Sequence, residues 1–233
     1  MRHILPLLGA AAAVALGAAS ASAQITKVEI SGNAGYTFSE GVDFANRQDI
    51  NGKTYTGVEP KDATSWGFAI DAVGYHLYEL GFLWDRQMSK LVANSPTGDR
   101  DVADMNIDNY HGYIGFNFAR EERAAIPFLF VGFGATSYGG FDLPANAASV
   151  TGVHHIDGNS KFSTTWGAGV KIYPQRRQLG LRLLARWTPT YIHTNPGSVW
   201  CDPYWGCSTV GDAEYSHAIE LTGGIVLKFP VGK

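Results

Sequence analysis

The sequence is poor in charge, and the charge that it has is nearly balanced. Charged residues make up 17% of the 233, with 18 Lys and Arg against 21 Asp and Glu and a formal net charge of −3. Proteins that bind nucleic acid concentrate positive charge on one face or stripe. The composition therefore predicts no nucleic-acid partner.

Long apolar runs are missing beyond the first residues. No later segment approaches the roughly 18 apolar residues that a membrane-crossing helix needs, so we expect no such helix. The beginning of the chain differs: residues 1–3 are a short basic start, residues 4–17 are largely apolar, and Ala21-Ser22-Ala23 fits a small-x-small cleavage site. We predict a signal peptide over residues 1–23 that is cleaved on export, which leaves one domain over residues 24–233.

Glycine and aromatic residues are abundant. The chain has 28 Gly and 12% aromatic residues, a composition that favours many strands joined by turns over helices. An exported chain that crosses a membrane without helices has to close its strands into a barrel, because every backbone polar group needs a partner in lipid.

Eight segments alternate, or nearly alternate, between apolar and polar residues. They are residues 27–38, 65–74, 76–88, 106–118, 126–138, 162–173, 179–191 and 214–229. Residues 128–134 are apolar on both faces, so the phase of the fifth segment stays open. Loops of roughly 15 to 25 residues follow segments one, three, five and seven, and short turns follow the others, as in outer-membrane barrels. The predicted fold class is all-β, an eight-stranded antiparallel up-and-down transmembrane β-barrel.

Aromatic residues gather towards both ends of these segments. With the amino terminus in the periplasm, the external group is Tyr36, Phe38, Trp66, Trp84, Tyr110, Trp166, Trp187 and Tyr215, and the periplasmic group is Tyr78, Phe116, Phe118 and Phe229. Two aromatic belts are typical of the lipid–water boundaries. This placement favours an apolar face turned outward to lipid, with a soluble barrel that buries the apolar face as the alternative.

The pattern resembles, over nearly the whole mature chain, the family of small outer-membrane β-barrel proteins that includes the transmembrane domain of outer-membrane protein A. The sharpest local likeness is the carboxy-terminal assembly signal, polar-x-Gly-x-x-aromatic-x-aromatic, which Thr222, Gly224, Leu227 and Phe229 resemble in order. Leu227 replaces an aromatic residue, and residues 230–233 extend past the usual terminal Phe. The resemblance implies a location in the cell outer membrane, contact with outer-membrane lipid, and the barrel-assembly machinery as a partner.

Charged residues on the polar faces would point into the barrel. They are Glu79, Asp85, Lys171, Arg182, Arg186 and Glu220, together with Glu29, Asp71 and Lys228. Eight strands enclose a lumen that side chains can just fill, and buried charges need partners. We predict a structural salt-bridge network, with a narrow ion path through rearranged pairs as the alternative.

The last long loop contains both cysteines of the chain. Cys201 and Cys207 enclose a Pro and a Gly in an exported protein, which predicts a loop closed by a disulfide. Tyr204 and Trp205 lie between them, placed either to dock a surface ligand or to rest on the barrel rim.

Catalytic and metal motifs are weak. Two groups supply metal-ligating residue types without a complete pattern: His154, His155 and Asp157, and Asp99, Asp101, Asp104 and Asp108. His193 with Ser198, or His217 with Ser216, supplies the residue types of lipid A deacylases without their His-x-Ser-Asn pattern. We predict a structural or surface-interaction role with no catalysis, no cofactor and no metal; the alternatives are a narrow ion channel and a lipid A-modifying enzyme.

Overall fold

The computed structural model describes residues 25–50, 53–74, 77–120, 123–142, 155–174, 178–192, 199–202, 206–209 and 214–231. The signal peptide predicted over residues 1–23 lies outside these ranges. The strands are β1 (Ile25–Glu40), β2 (Val42–Ile50), β3 (Lys53–Pro60), β4 (Ala63–Gly74), β5 (Tyr78–Asn94), β6 (Arg100–Asn117), β7 (Ala125–Tyr138), β8 (Phe141–Asp142), β9 (His155–Ile156), β10 (Asn159–Ile172), β11 (Leu179–Ile192), β12 (Val199–Asp202), β13 (Gly206–Thr209) and β14 (Glu214–Pro230). The described residues include no helix that is long and apolar enough to cross a membrane.

Eight of these strands close into a barrel. Each of β1, β4, β5, β6, β7, β10, β11 and β14 pairs antiparallel with its neighbour in that order, and β14 pairs back onto β1. Closure leaves no open edge within the barrel wall. The predicted fold class, an eight-stranded antiparallel up-and-down barrel, is confirmed.

The barrel sheet continues beyond one end of the barrel through β2, β3 and the outer parts of β5 and β6, and we call this continuation the extracellular sheet. Strand β5 continues to Asn94 and β6 begins at Arg100, with Gly98 at a φ of 121° in the turn between them. Strands β2 and β3 form a hairpin, and β3 pairs with the extension of β5 from Gly57↔Asn94 to Pro60↔Leu91. The sequence pattern indicated loops in these regions. Charged residues interrupt the alternation in the outer parts of β5 and β6.

The two faces of the wall have opposite chemistry. Outward side chains such as Ile70, Leu183 and Leu221 are 43%, 50% and 52% exposed, whereas inward Asp71 and Arg182 are fully buried. A soluble barrel would place its apolar face inside. An apolar exterior around a polar interior is the arrangement of a barrel that faces lipid.

The fifth barrel strand, β7, has a defined phase. Phe128 and Phe130 are 2% exposed and point into the barrel, while Leu129, Val131 and Phe133 point outward. Glycines on the neighbouring strand make room for the inward rings: a Cβ added at Gly169 would overlap the Phe128 ring. The interior is therefore packed by large side chains set opposite small ones.

One part of the wall has an incomplete ladder. Between β10 and β11 the paired residues run from Ser163↔Thr190 directly to Trp166↔Trp187. Pro189 lies in this gap and has no N–H to donate. The seam between β10 and β11 is therefore weakest on its outer side.

Candidate functional site

The barrel lumen holds the densest set of buried charges, arranged in three layers along the axis. The layer at the end of the barrel where β1 begins, which we expect to face the periplasm, centres on Lys171, whose Nζ lies 2.6 Å from Glu29 Oε2 and 2.6 Å from Glu79 Oε2. Lys27 Nζ lies 2.8 Å from Glu29 Oε1, and Asn117 donates to Glu79 over 3.0 Å. We call these residues the inner layer.

The central layer is built around Arg182. Its Nη1 donates to Asp71 over 2.9 Å and to Ser31 over 3.1 Å, and its Nη2 donates to the Tyr113 hydroxyl over 3.2 Å. That hydroxyl in turn donates to Asp71. Gly81 faces this cluster, and a Cβ there would overlap the Tyr113 ring and the Asp71 carboxylate. The glycine permits the close approach on which the layer depends.

In the outer layer one arginine serves two carboxylates. Arg186 Nη2 lies 2.6 Å from Asp85 Oδ1 and 2.5 Å from Glu220 Oε2. Ser65 donates to Glu220 over 2.6 Å, and Asn109 donates to Asp85 over 3.0 Å. These hydrogen bonds use lone pairs that the arginine leaves free, as buried carboxylates require.

Hydroxyl groups continue the network towards the outer end. Thr136 donates to Asn109 over 2.7 Å and lies 3.0 Å from Ser163. Thr190 donates to Thr136 over 3.0 Å, and His111 Nε2 lies 2.9 Å from Ser163 Oγ. All of these side chains are buried, so the His111–Ser163 contact belongs to the packed interior.

Aromatic rings fill the space between the inner and central layers. The Phe128 ring has Lys171 Nζ 5.0 Å and Arg182 Cζ 4.9 Å from its centroid, within cation–π range. Phe130 packs on Tyr113 with centroids 4.6 Å apart and stacks on Phe128 at 6.3 Å. The periplasmic end is packed by a further cluster, Tyr173, Ile126 and Val226.

Among the described residues, the charges that point into the lumen are equal in number. Inward cations are Lys27, Lys171, Arg182, Arg186 and Lys228, and inward anions are Glu29, Asp71, Glu79, Asp85 and Glu220. Lys228 Nζ lies over the Tyr173 ring at 4.8 Å. Voids beside the outer layer are small, with volumes of about 20 Å³ each. The arrangement can hold the wall together, and it leaves little free space.

The structure places the residues of the predicted network in these layers, except Lys228, which lies over the Tyr173 ring. Glu79 and Lys171 belong to the inner layer, Arg182 to the central one, and Asp85, Arg186 and Glu220 to the outer one. The sequence did not identify Lys27 or the roles of Tyr113 and Phe128. Lys27 could have been found, because it lies two residues before Glu29 on β1 and therefore on the same face of the strand.

The residues of the predicted outer aromatic belt lie on the exterior. Tyr36, Trp66, Trp166, Trp187 and Tyr215 are each more than two-fifths exposed, and Trp84 is half-buried against Trp66 with centroids 5.0 Å apart. Leu227 and Phe229 of the predicted assembly signal are also exposed, while Thr222 and Gly224 point inward and are half-buried.

Several other sequence candidates are not brought together. Ser216 is buried and donates to the Glu40 carbonyl over 2.7 Å, while His217 lies on the opposite face and stacks on Trp187. His193, Ser198 and His154 lie outside the described residues. Within the described ranges no three His, Cys, Asp or Glu residues are grouped to hold a metal ion.

The cysteines lie opposite each other in the hairpin of β12 and β13. The register pairs Cys201 with Cys207 in an antiparallel ladder. Their side chains and residues 203–205, which include Tyr204 and Trp205, lie outside the description.

No family model and no curated protein sequence matches the chain. Solved structures do match. The outer membrane protein OprG from Pseudomonas aeruginosa superposes with a TM-score of 0.59 at 11% identity, over 89% of this chain and 99% of that one. Neisserial surface protein A gives 0.51 at 12% identity, over 87% and 97%. AlkL, solved by solid-state NMR in DMPC bilayers, gives 0.50 at 14% identity, over 90% and 93%.

These likenesses concern the fold, and they agree with the apolar exterior and the charged interior. A closed barrel that turns its apolar face outward resides in an outer membrane, as the sequence predicted. The chain is thus an eight-stranded barrel with the fold of the small outer-membrane β-barrel proteins.

Proposed function

We propose that the protein is a sealed, non-catalytic barrel that anchors an extracellular sheet in the outer membrane. The observation that carries this proposal is the packing of the lumen. Three layers of paired charges span it, and the rings of Phe128, Phe130 and Tyr113 fill space between them. Such packing supports a structural or surface-interaction role.

The size of the voids argues against a continuous aqueous path. A cavity needs about 10–15 Å³ to hold one water molecule, and two voids beside the outer layer measure about 20 Å³ each. Neither void therefore has room for a hydrated ion.

An ion channel would require the layers to open. Freeing Arg182 or Arg186 would leave buried carboxylates unpaired, and breaking a buried ion pair in this way costs about 3–5 kcal/mol. We expect the purified barrel to give no single-channel current in planar bilayers. A boiling-dependent shift in gel mobility of the same sample would show that the protein is folded. Reproducible ion-selective current from the folded protein would contradict the proposal.

A lipid-modifying enzyme is the other alternative. Of the two serine–histidine pairs that the sequence suggested, Ser216 and His217 point to opposite faces, and His193 with Ser198 lies outside the described residues. We expect the mass spectrum of lipid A to be unchanged when the protein is expressed in a host that lacks it. A loss of acyl groups or an added group would refute the non-catalytic assignment.

The extracellular sheet is the part that we propose to meet surface partners. Its exposed face carries a compact set of charges, in which Lys61 Nζ lies 3.2 Å from Asp101 and Lys90 Nζ lies 3.4 Å from Asp101 and 3.6 Å from Asp104. The external loops around it are the proposed place for any surface ligand. Deleting the β2–β3 hairpin should abolish such binding and leave the heat-dependent mobility shift unchanged.

We also propose a disulfide between Cys201 and Cys207. Directly opposed residues of antiparallel strands have Cα atoms about 4.5–5.5 Å apart, which falls within the usual disulfide range of about 4.4–6.8 Å. Mass spectrometry with thiol alkylation should show two modified cysteines only after reduction. Alkylation of the unreduced protein would disprove the bond.

Export and assembly complete the proposal. Removal of residues 1–23 predicts Gln24 as the mature amino terminus, which sequencing of the purified protein tests. The lipid-facing side chains of Leu227 and Phe229 support recognition of β14 by the barrel-assembly machinery. Phe229→Ala should lower the yield of folded barrel in cells more than it lowers the yield of refolding in detergent. Equal losses of yield would mean that the substitution affects only the stability of the barrel and would contradict a role in recognition.

A further inference from the structure

A small chamber lies in the lumen between the central and outer layers. It has a volume of about 20 Å³, and its lining includes Arg182, Arg186, Asn33 and Thr222. Residues of β1, β4, β5, β11 and β14 line the chamber, and apolar side chains such as Ala69, Leu83 and Leu184 form part of its wall. Gly224 on β14 leaves room for the Asn33 side chain, because a Cβ at this position would overlap the Asn33 amide oxygen.

Four of the residues that line the chamber have buried polar atoms without a protein partner. Arg182 Nε, Arg186 Nε and Nη1, Asn33 Oδ1 and Thr222 Oγ1 are buried, and none has a hydrogen-bond partner among the described residues. The two arginine side chains are 0% and 2% exposed. Buried polar atoms nearly always have a partner in protein or ordered water, so this concentration indicates a ligand.

We propose that the chamber is a binding site for one water molecule. Its volume of about 20 Å³ exceeds the roughly 10–15 Å³ that one water needs. A water there accepts hydrogen bonds from Arg182 and Arg186 and donates to Asn33 Oδ1 and Thr222 Oγ1. It thereby joins the central and outer layers into one hydrogen-bonded column.

The charges around the chamber select water over an ion. Asp85 and Glu220 also line it and share the charge of Arg186, and Asp71 offsets that of Arg182. A halide would add negative charge beside a cluster that already has more carboxylates than guanidinium groups. The N–H groups that face the chamber equally disfavour a cation.

A second void of about 20 Å³ offers a comparison within the same molecule. Its lining includes Asn109, Thr136, Thr190 and Ser216, and each of these side chains already has a protein partner. A water there would replace no missing bond of these four side chains, and among the other lining residues His217 has one ring nitrogen without a partner. We expect the chamber to be the more fully occupied of the two.

The first test is a crystal structure of the full mature chain grown with sodium bromide and measured at the bromine absorption edge. The expected result is one water peak within hydrogen-bond distance of Arg186 and Asn33, with no anomalous signal. A bromide peak in the chamber would overturn the assignment to water, and clear density for the side chains around an empty chamber would overturn the site itself.

A pair of variants at Thr222 provides a second test in the folded protein. Thr222→Val keeps the shape and removes the hydroxyl, whereas Thr222→Ser keeps the hydroxyl. We expect Thr222→Val to lose the water peak and to raise the unfolding equilibrium constant about tenfold, the effect of a lost buried hydrogen bond, with Thr222→Ser retaining the water. Retention of the water in Thr222→Val, with equal stability of the two variants, would contradict the proposal. The test is independent of conductance, so it can fail while the sealed-barrel proposal stands.

Discussion

Replacing Arg182 by methionine removes the one cation of the central layer. In the structure this guanidinium donates to Asp71, to Ser31 and to the Tyr113 hydroxyl, and it lies over the Phe128 ring. Methionine has a similar length and no donor. The variant therefore leaves a fully buried carboxylate without its counter-charge.

The size of the effect follows from burial. Both side chains of the Arg182–Asp71 pair are 0% exposed, and removing one partner of a buried pair destabilises a protein by about 3–5 kcal/mol. The lost contact with the Phe128 ring adds about 0.5–2 kcal/mol. These values are large against a typical total stability of about 5–15 kcal/mol.

The barrel offers a matched control on its outer face. Arg86 makes a two-pronged ion pair with Asp108 at 2.8 and 2.9 Å, but its side chain is 39% exposed. Exposed pairs contribute about 0–1 kcal/mol, and the contact of Arg86 with the Trp84 ring at 5.8 Å adds about 0.5–1 kcal/mol, so Arg86→Met should cost less than Arg182→Met. A double variant, Arg182→Met with Asp71→Leu, removes both buried charges and should recover most of the loss.

The assay is urea unfolding of the refolded barrel in lipid vesicles, followed by tryptophan fluorescence and by gel mobility without boiling. The account predicts a loss of about 3.5–7 kcal/mol for Arg182→Met and of at most about 2 kcal/mol for Arg86→Met. Equal losses for the two variants would refute the claim that the lumen pairs are buried.

Three further experiments test the barrel wall and its two faces. Gly81→Val should prevent formation of the heat-modifiable barrel, because the added side chain overlaps an aromatic ring and a carboxylate. The control Gly32→Val should fold normally, because no atom lies within 4 Å of the added Cβ. Equal folding of the two variants would contradict the close packing around Gly81. Leu221→Arg, on the lipid-facing side near the middle of the bilayer, should lower the free energy of unfolding in vesicles by about 2–4 kcal/mol. Tyr215→Arg, near the membrane boundary, should lower it by about 0–1 kcal/mol. The reverse order would contradict the placement of the bilayer. Amides in the gap beside Pro189 should exchange with D2O faster in NMR spectra than those of the same strands nearer the periplasm, and uniform protection would show that the ladder is complete there.

Much of the wall could be predicted from the sequence because a period of two fixes which face each residue occupies. The alternation on β14, with Ile219 and Leu221 outward and Glu220 inward, is the clearest example. Inward positions of the charged residues followed from the same parity. The strand count and the identity of the lipid-facing side chains therefore did not depend on long-range contacts.

Contacts across the lumen could not be predicted, because they depend on how the strands stagger around the barrel. Arg182 on β11 reaches Asp71 on β4 and Tyr113 on β6, and no local pattern joins these residues. The phase of β7 was open for a different reason, since apolar residues fill both of its faces. The inward glycines at 167 and 169 on β10 were the available signal, because they leave room for Phe130 and Phe128.

The extracellular sheet was missed because its strands do not alternate cleanly. Lys90 and Asp104 point outward with the charges of a solvated surface, and the register of β5 and β6 shifts between Leu91 and Val92. An irregularity of this kind moves following residues to the other face. A period-two search therefore stops where the shift begins.

The central claim is that the apolar face of the wall contacts lipid and the charged face lines a packed lumen. Spin labels placed singly from residue 219 to residue 227 of β14, with both cysteines replaced by serine, test it through their collision rates with dissolved oxygen. The account predicts an alternating profile, with high oxygen access at odd positions such as Leu221 and low access at even positions such as Glu220. High access at the even positions would show that the apolar face is turned inward and would contradict the account.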